Sequence, residues 1–230
     1  MTLSPFQSKI DAMPVPTLHI HGTIISTYTR IVQTVAEEAG VGWTITATPA
    51  QSEENRRRHP FGKVPTVEID GLSLYESVAI TQYIDNVHNG GSLQPDDPKI
   101  RAEMDRWIAI ANNYLFPTFE HGLLMPRLAH EYLKTPLRSD IIEAALPDIA
   151  RYLGIVCARI EMSPHFAGPD FTLADIFLYC MLRPVQMTSE GRNLIDQLLP
   201  LRHWLNRTGK RDSLLSSRWP REIENAAEPK

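Results

Sequence analysis

Thr17-Leu18-His19-Ile20-His21 alternates polar and apolar side chains, the period of two that marks a half-buried strand. After a loop from Gly22 to Ser26 the period changes. Ile31, Val32, Val35, Ala36 and Ala39 recur at helical spacing, and Gly40 supplies the stop. Trp43, Ile45 and Ala47 return to alternation and predict a second strand. Thr66-Val67-Glu68-Ile69 and Leu72-Ser73-Leu74-Tyr75 flank Asp70-Gly71, a hairpin with a two-residue turn. Val78, Ala79, Ile80, Tyr83, Ile84 and Val87 then line one face of a second helix. The order β-α-β, long loop, β-β-α predicts a small α/β domain over residues 17–88.

Beyond it the pattern is almost entirely helical. Asn89-Gly90-Gly91-Ser92 through Pro98 is rich in turn residues, which makes 89–97 a linker. Helical runs follow near 99–115, 138–161, 172–188 and 194–206, with Pro117, Pro126 and Pro136 expected to break the stretch after the first. Short connections predict an antiparallel all-α bundle over 98–215, followed by a tail at 216–230. The opening residues, 1–16, carry Pro5, Pro14 and Pro16 and no apolar core of a secretory signal, so they are expected to form a flexible leader.

Composition narrows the function classes. The chain has 230 residues, 23 basic and 27 acidic, for a net charge of −4. That balance lacks the concentrated basic face of a nucleic-acid binder. Apolar residues make up 43 %, close to the roughly 45–50 % of soluble domains and enough for a sizeable core. No apolar run approaches the roughly 18 residues of a membrane span. Two cysteines, Cys157 and Cys180, both in apolar surroundings, are no disulfide framework; they predict buried, reduced thiols and a cytoplasmic location.

Three constellations could carry chemistry. Ser26 stands where the first helix begins; it is an N-cap, or a hydroxyl aimed at a bound thiol. Glu76-Ser77 precedes the second helix; the pair is a cap, or a zwitterion site in which Glu76 takes an ammonium while Ser77 and the helix amides take a carboxylate. Val64-Pro65 stands directly before a strand, where a cis bond would present the Val64 backbone to a ligand.

In this order and spacing, these features resemble the glutathione transferases. The resemblance rests on Gly22 through Arg30 with Glu37-Glu38-Ala39-Gly40, on His59-Pro60-Phe61-Gly62-Lys63-Val64-Pro65, on Leu74-Tyr75-Glu76-Ser77 through Ile84, and on Phe171-Thr172-Leu173-Ala174-Asp175. The placement of Ser26 is similar to the serine-type phi class. The resemblance covers the whole chain. It implies a thioredoxin-like N-terminal domain followed by an all-helical bundle, with glutathione as co-substrate and a hydrophobic electrophile as second substrate. It implies that Ser26 hydrogen-bonds the thiolate and that Pro65 is cis. Val64 would pair its backbone with the cysteinyl unit, Glu76 and Ser77 would hold the γ-glutamyl end, and Lys63 would touch the peptide. Gln51 lies near the position that meets the glycine carboxylate, and Tyr28 competes with Ser26 for the thiol. Tyr28, Tyr114 and Phe119 are expected in the electrophile pocket. The family's tyrosine or phenylalanine before the glycine is His21 here, and the segment Thr44–Pro49 is more polar than usual.

The implied activity is conjugation, as in detoxification. Peroxidase, dehalogenase or isomerase chemistry on the same fold remains open, as does a non-catalytic binding module. A homodimer is implied, with Phe61 packing into the partner and Arg101, Asp105 and Arg106 as interface charges. His19 and His21 share a strand face, too few ligands for a metal site, and Arg56-Arg57-Arg58 reads as a solvated loop. Thr172-x-x-Asp175 is a capping box.

Overall fold

The computed structural model describes residues 17–227; the leader expected at 1–16 lies outside the described residues. The alternating run becomes β1, Thr17–Gly22, with Leu18 and Ile20 wholly buried. The helical run becomes α1, Thr27–Glu38, capped by Ser26. β2, Gly42–Ala47, lies parallel to β1, and the hairpin strands β3, Thr66–Ile69, and β4, Leu72–Tyr75, run antiparallel. The sheet order is β2-β1-β3-β4. Asp70 and Gly71 both take positive φ, 51° and 77°, as a two-residue turn of the primed kind requires. Between β2 and β3 the loop holds a short helix, α2, Glu53–Arg58, which the sequence pattern did not reveal. α3, Ser77–His88, closes the unit. Matching the expectation, this is a thioredoxin-like domain followed by an all-helical one.

The linker is held by a single buried carboxylate. Asp85 accepts from the backbone N–H of Leu93 at 3.1 Å, from Asn89 Nδ2 at 2.8 Å and from Gln94 Nε2 at 2.9 Å. Leu93 in turn accepts from the Leu173 N–H at 3.1 Å, so the linker is bonded to both domains.

The first helical stretch corrects the expectation that Pro117 and Pro126 interrupt it, whereas Pro136 stands in the break after Leu133, as expected. α4, Pro98–Ile110, runs through a π turn at Ala111–Leu115 into α5, Phe116–Phe119, then through a second π turn at Glu120–Leu124 into α6, Met125–Leu133. Phe116 N–H bonds back five residues to Ala111, and Met125 N–H to Glu120. Each widened turn ends two residues before a proline, Pro117 or Pro126. The ladder is shifted by one residue just where the missing N–H and the pyrrolidine ring would break regular α bonding.

α7, Ser139–Met162, and α8, Leu173–Met187, fall close to expectation. The run near 194–206 is two helices, α9, Ser189–Asp196, and α10, Leu199–Thr208, with Pro200 in the first turn of the second. α11, Asp212–Ser216, falls at the end of the expected bundle, and α12, Pro220–Ala227, occupies the stretch expected as a tail. α1 packs on α3 within its own domain and on α8 and α11 of the other.

The capping box at α8 is present and lies in the core. Asp175, fully buried, accepts from the Thr172 N–H at 2.9 Å, the Thr172 hydroxyl at 3.1 Å and the Phe166 N–H at 3.2 Å, beside His165 Nδ1 at 3.1 Å. Asp175→Ala leaves several buried donors without acceptors, a loss of about 3–5 kcal/mol. The melting midpoint is expected to fall by about 6–20 °C for a chain of this size. Glutathione affinity of the protein still folded, measured by titration calorimetry, is expected to stay near wild type. Lost affinity with unchanged melting would refute a purely structural role.

Candidate functional site

A cavity of about 1180 Å³ opens between the two domains. Typical small-molecule pockets occupy roughly 300–1,000 Å³, so it has room for two substrates together. It brings together Ser26, Tyr28, Gln51, Lys63, Val64, Pro65, Glu76 and Ser77, all of them positions marked by the sequence. The Val64–Pro65 bond is cis.

Two helix N-termini converge on this space. Ser26, Thr27 and Tyr28 bring the start of α1; Glu76, Ser77 and Val78 bring the start of α3. Each end carries unpaired N–H groups and roughly half a positive charge, so the cavity offers two places for anions. Ser26 Oγ accepts from the Thr29 N–H at 3.3 Å, the expected cap. That bond uses a lone pair and leaves the hydroxyl proton to be donated, so capping and thiolate binding are compatible in one side chain. Glu76 has φ 70°, a left-handed geometry unusual outside glycine, at the strand-to-helix corner. Such a residue costs about 1–3 kcal/mol and is characteristic of functional corners.

Tyr28 is committed elsewhere. Its hydroxyl donates to Asn112 Oδ1 at 3.1 Å, across the domain junction, and its ring lies 4.6 Å from that of Phe116. Burial first, then the carboxylates of Glu120 and Glu76, raise its pKa well above the ordinary phenol. With its proton held by Asn112, Tyr28 is the weaker partner for a thiolate.

Gln51 lies on the cavity, but its side chain is engaged in closing the loop. Nε2 donates to the Phe61 carbonyl at 3.0 Å and Oε1 accepts from Arg56 Nη2 at 2.9 Å. The Gln51 N–H also donates to the Gly62 carbonyl at 2.8 Å. The expected contact with a carboxylate ligand would have to displace one of these bonds. Lys63 is exposed, and its backbone carbonyl accepts from Asn55 Nδ2 at 3.0 Å.

His59, buried against the rings of Tyr75 and Phe61, was not singled out, although it opens the loop motif. Burial lowers its pKa, with Lys63 adding and the Glu76 carboxylate opposing. Nδ1 accepts from the Phe61 N–H at 3.2 Å, which leaves the neutral ring's proton on Nε2, 3.8 Å from Glu76 Oε1.

Two expected pocket residues are elsewhere. Tyr114 is exposed and Phe119 is buried in the core; neither lines the cavity. The two π turns rotate the helix so that Asn112, Asn113, Phe116, Pro117, Glu120 and His121 face it instead. Period-3.6 counting fails across an inserted residue. Burial pushes the Glu120 carboxyl up, with His121 partly opposing. Trp219, Pro220 and Arg221 complete the wall from the segment expected as a tail. Asp105, expected at an interface, also lines the cavity. His19 bonds Thr44 and Thr46 and His21 bonds Glu68; among the described residues no group of histidine, cysteine and carboxylate side chains could hold a metal.

Residues 20–92 match the family described as "Glutathione S-transferase, N-terminal domain", and residues 127–211 match "Glutathione S-transferase, C-terminal domain". Glutathione S-transferase F14 of Arabidopsis thaliana is 29 % identical over 163 residues, which span 69 % of this chain and 64 % of that protein, slightly under two thirds of its length. Of the solved structures, a theta class glutathione S-transferase from Xanthomonas axonopodis pv. citri with glutathione bound superposes at TM-score 0.72 and 26 % identity, covering 89 % of this chain and 97 % of that one. The maize glutathione S-transferase I in complex with an atrazine glutathione conjugate superposes at TM-score 0.78 and 22 % identity, covering 87 % and 95 %.

Gly62 offers a test of the loop geometry. At φ 65° an added Cβ would stand 2.7 Å from Gln51 Oε1, whereas Gly40, at φ 64°, has no atom within 4 Å of that position. Gly40→Ala is expected to cost only the left-handed backbone penalty of about 1–2 kcal/mol, and Gly62→Ala more. Thermal melting of both variants reads the difference. Equal midpoints would show that Gln51 does not hold the loop closed.

Proposed function

The chain belongs to the glutathione S-transferase family, and we propose that it transfers the thiol of glutathione to hydrophobic electrophiles. One observation carries the reading: the starts of α1 and α3, with Ser26, Glu76 and Ser77, share one cavity with the cis Val64–Pro65 bond.

In this reading glutathione lies extended across the N-terminal domain. Its cysteinyl backbone pairs with Val64, in the manner of an added strand. Its γ-glutamyl ammonium meets Glu76, and the adjacent carboxylate meets Ser77 and the α3 amides. Lys63 stands beside the peptide, and Gln51 reaches the glycine end by exchanging a loop bond. The sulfur sits at Ser26. There the hydroxyl proton and the α1 dipole favour thiolate over thiol, and each unit by which the thiol pKa falls corresponds to about 1.4 kcal/mol.

The thiolate then attacks a carbon of the electrophile held by the helical domain. In substitution, the C–S bond forms as the leaving group departs with its electron pair. In addition to a conjugated carbonyl, the π pair moves to oxygen and water supplies the proton. No protein acid or base is required. Catalysis comes from thiolate stabilisation and proximity.

Ser26→Ala is expected to lower kcat for 1-chloro-2,4-dinitrobenzene by about 10²–10³-fold, the range for removing one such donor. Glutathione affinity should change only a few-fold. Titration of the thiolate absorbance should show the bound thiol's pKa rising toward that of free glutathione. Unchanged turnover would move the role to Tyr28 or to backbone amides.

We further infer a cytoplasmic homodimer acting in detoxification. The free, buried thiols Cys157 and Cys180 suit a reducing compartment; burial pushes Cys180 up to about 11. Phe61 is 69 % exposed on a loop pinned by Gln51, a large apolar side chain suited to packing in a partner. Sedimentation is expected to give a dimer for the wild type and a shift toward monomer for Phe61→Ala. An unchanged dimer would reject Phe61 as the anchor.

A further inference from the structure

The cavity changes character along its length. At one end stand the residues assigned to glutathione. On the helical side the wall is mixed: Phe116, Leu124, Met125, Leu128 and Trp219 supply apolar surface, beside the polar Asn112, Asn113, Glu120 and His121. Arg127 on α6, Met187 at the end of α8, Thr188 just after it, and Arg221 on α12 belong to this cavity and also to a second hollow of about 520 Å³. The second hollow's other walls, His130, Glu131, Lys134 and Ser189, all come from the helical domain. The shared residues therefore mark where the cavity meets the second hollow, on the side of the helical domain.

Both arginines there are anchored from outside the main cavity. Arg127 pairs with Glu190 and donates to Ser189 Oγ at 3.2 Å; Arg221 Nη1 donates to Glu131 Oε2 at 2.6 Å. Neither Glu190 nor Glu131 lines the main cavity, to which both arginines belong, although Glu131 lines the second hollow. Each anchor engages one terminal nitrogen of a group that carries five N–H donors. Arg127 Nε is buried and bonds to nothing among the described residues. A planar fork with donors to spare is the geometry that receives a carboxylate or sulfonate.

We propose that the preferred electrophile is elongated and amphiphilic: a reactive carbon beside Ser26, an apolar body along the helical wall, and a terminal anionic group held by Arg127 and Arg221. The assignment rests on the glutathione-transferase reading of the Ser26 end. One feature favours this occupant over a wholly apolar one: Arg127 and Arg221 share the wall with Leu124, Met125 and Leu128, and Arg127 Nε is buried with its donor unpaired among the described residues.

The test uses straight-chain 2-enals whose far end is a carboxylate, each paired with its methyl ester. Glutathione is fixed and chain length is varied. At the best length the wild type is expected to favour the acid by at least about tenfold in kcat/KM, the scale of a charged hydrogen bond. That ratio should fall towards one in Arg127→Gln combined with Arg221→Gln, and should be partly kept in Arg127→Lys. Added salt should lower the wild-type ratio too, a readout that does not depend on any variant folding. A wild-type ratio near one at every length, or one insensitive to salt, overturns the anionic subsite and leaves the conjugation reading intact. Preference surviving in the folded double variant overturns the assignment to these arginines. No turnover of acid or ester, nor of 1-chloro-2,4-dinitrobenzene, overturns the conjugation reading itself and this inference with it.

Discussion

The molecule is organised around an ion pair that water does not reach. Arg30, fully buried in α1, pairs with Glu222 on α12; Arg183 Nε donates to the other Glu222 oxygen at 2.9 Å. The Arg30 guanidinium also donates to the Leu214 carbonyl at 3.3 Å and lies 4.9 Å from the ring centre of Trp219. Higher on the same helix, Thr34 meets Ser217 at 2.9 Å and Glu38 takes two bonds from Arg211, at 2.9 and 2.8 Å. Residues 30, 34 and 38 recur at a spacing of four, which puts them on one face of α1, and Ser26 heads that face. The C-terminal segment is thus clasped along the helix that carries the candidate nucleophile-binding serine. Such a buried pair is a poor source of stability, because desolvation offsets much of its attraction; breaking it, however, costs about 3–5 kcal/mol. What it fixes is position. Ser26 lies one turn before Arg30, and Trp219–Arg221 lie just before Glu222, so one interaction sets opposite walls of the same cavity.

The two halves of that cavity are built by different means, which explains what could be read from the chain. On the N-terminal side the features are local. Asp70-Gly71 dictates a tight turn, Ser26 a cap, and Glu76-Ser77 a helix start, each from contiguous residues with one physical requirement. Thr172 and Asp175 are legible for the same reason, since a capping box is contained in four residues. The Gln51 amide donates to the Phe61 carbonyl and accepts from the Arg56 side chain, and nothing in the pattern announces that loop closure.

The helical side was less legible because its geometry depends on exceptions to helical periodicity. Prolines at 117 and 126 read as breaks; the chain answers each with a π turn and continues. One inserted residue per π turn moves Tyr114 to solvent and Phe119 into the core, and brings Asn112, Phe116 and Glu120 to the cavity. α12 was hidden for a different reason. Its one large apolar side chain, Ile223, is exposed, and the residue that fixes it, Glu222, is a buried carboxylate whose partner stands almost the whole chain away. Long-range pairing of charges leaves no local periodic signal.

This division has a consequence for selectivity. Apolar walls stabilise ligands by burial, at about 25 cal/mol per Å², with little regard for direction. A long apolar wall alone would accept many electrophiles and rank them chiefly by size. Directional bonds discriminate, because a buried donor left unpaired is penalised as well as unrewarded. On the helical side of this cavity the guanidinium groups of Arg127 and Arg221 supply such donors, and each is fixed by a carboxylate belonging to a different element, Glu190 on α9 and Glu131 on α6. Arg221 stands next to Glu222, so the clasp that aligns Ser26 also sets the far wall. A change in the α1–α12 pairing would therefore shift reactivity and selectivity together, whereas a change at Arg127 would move selectivity alone.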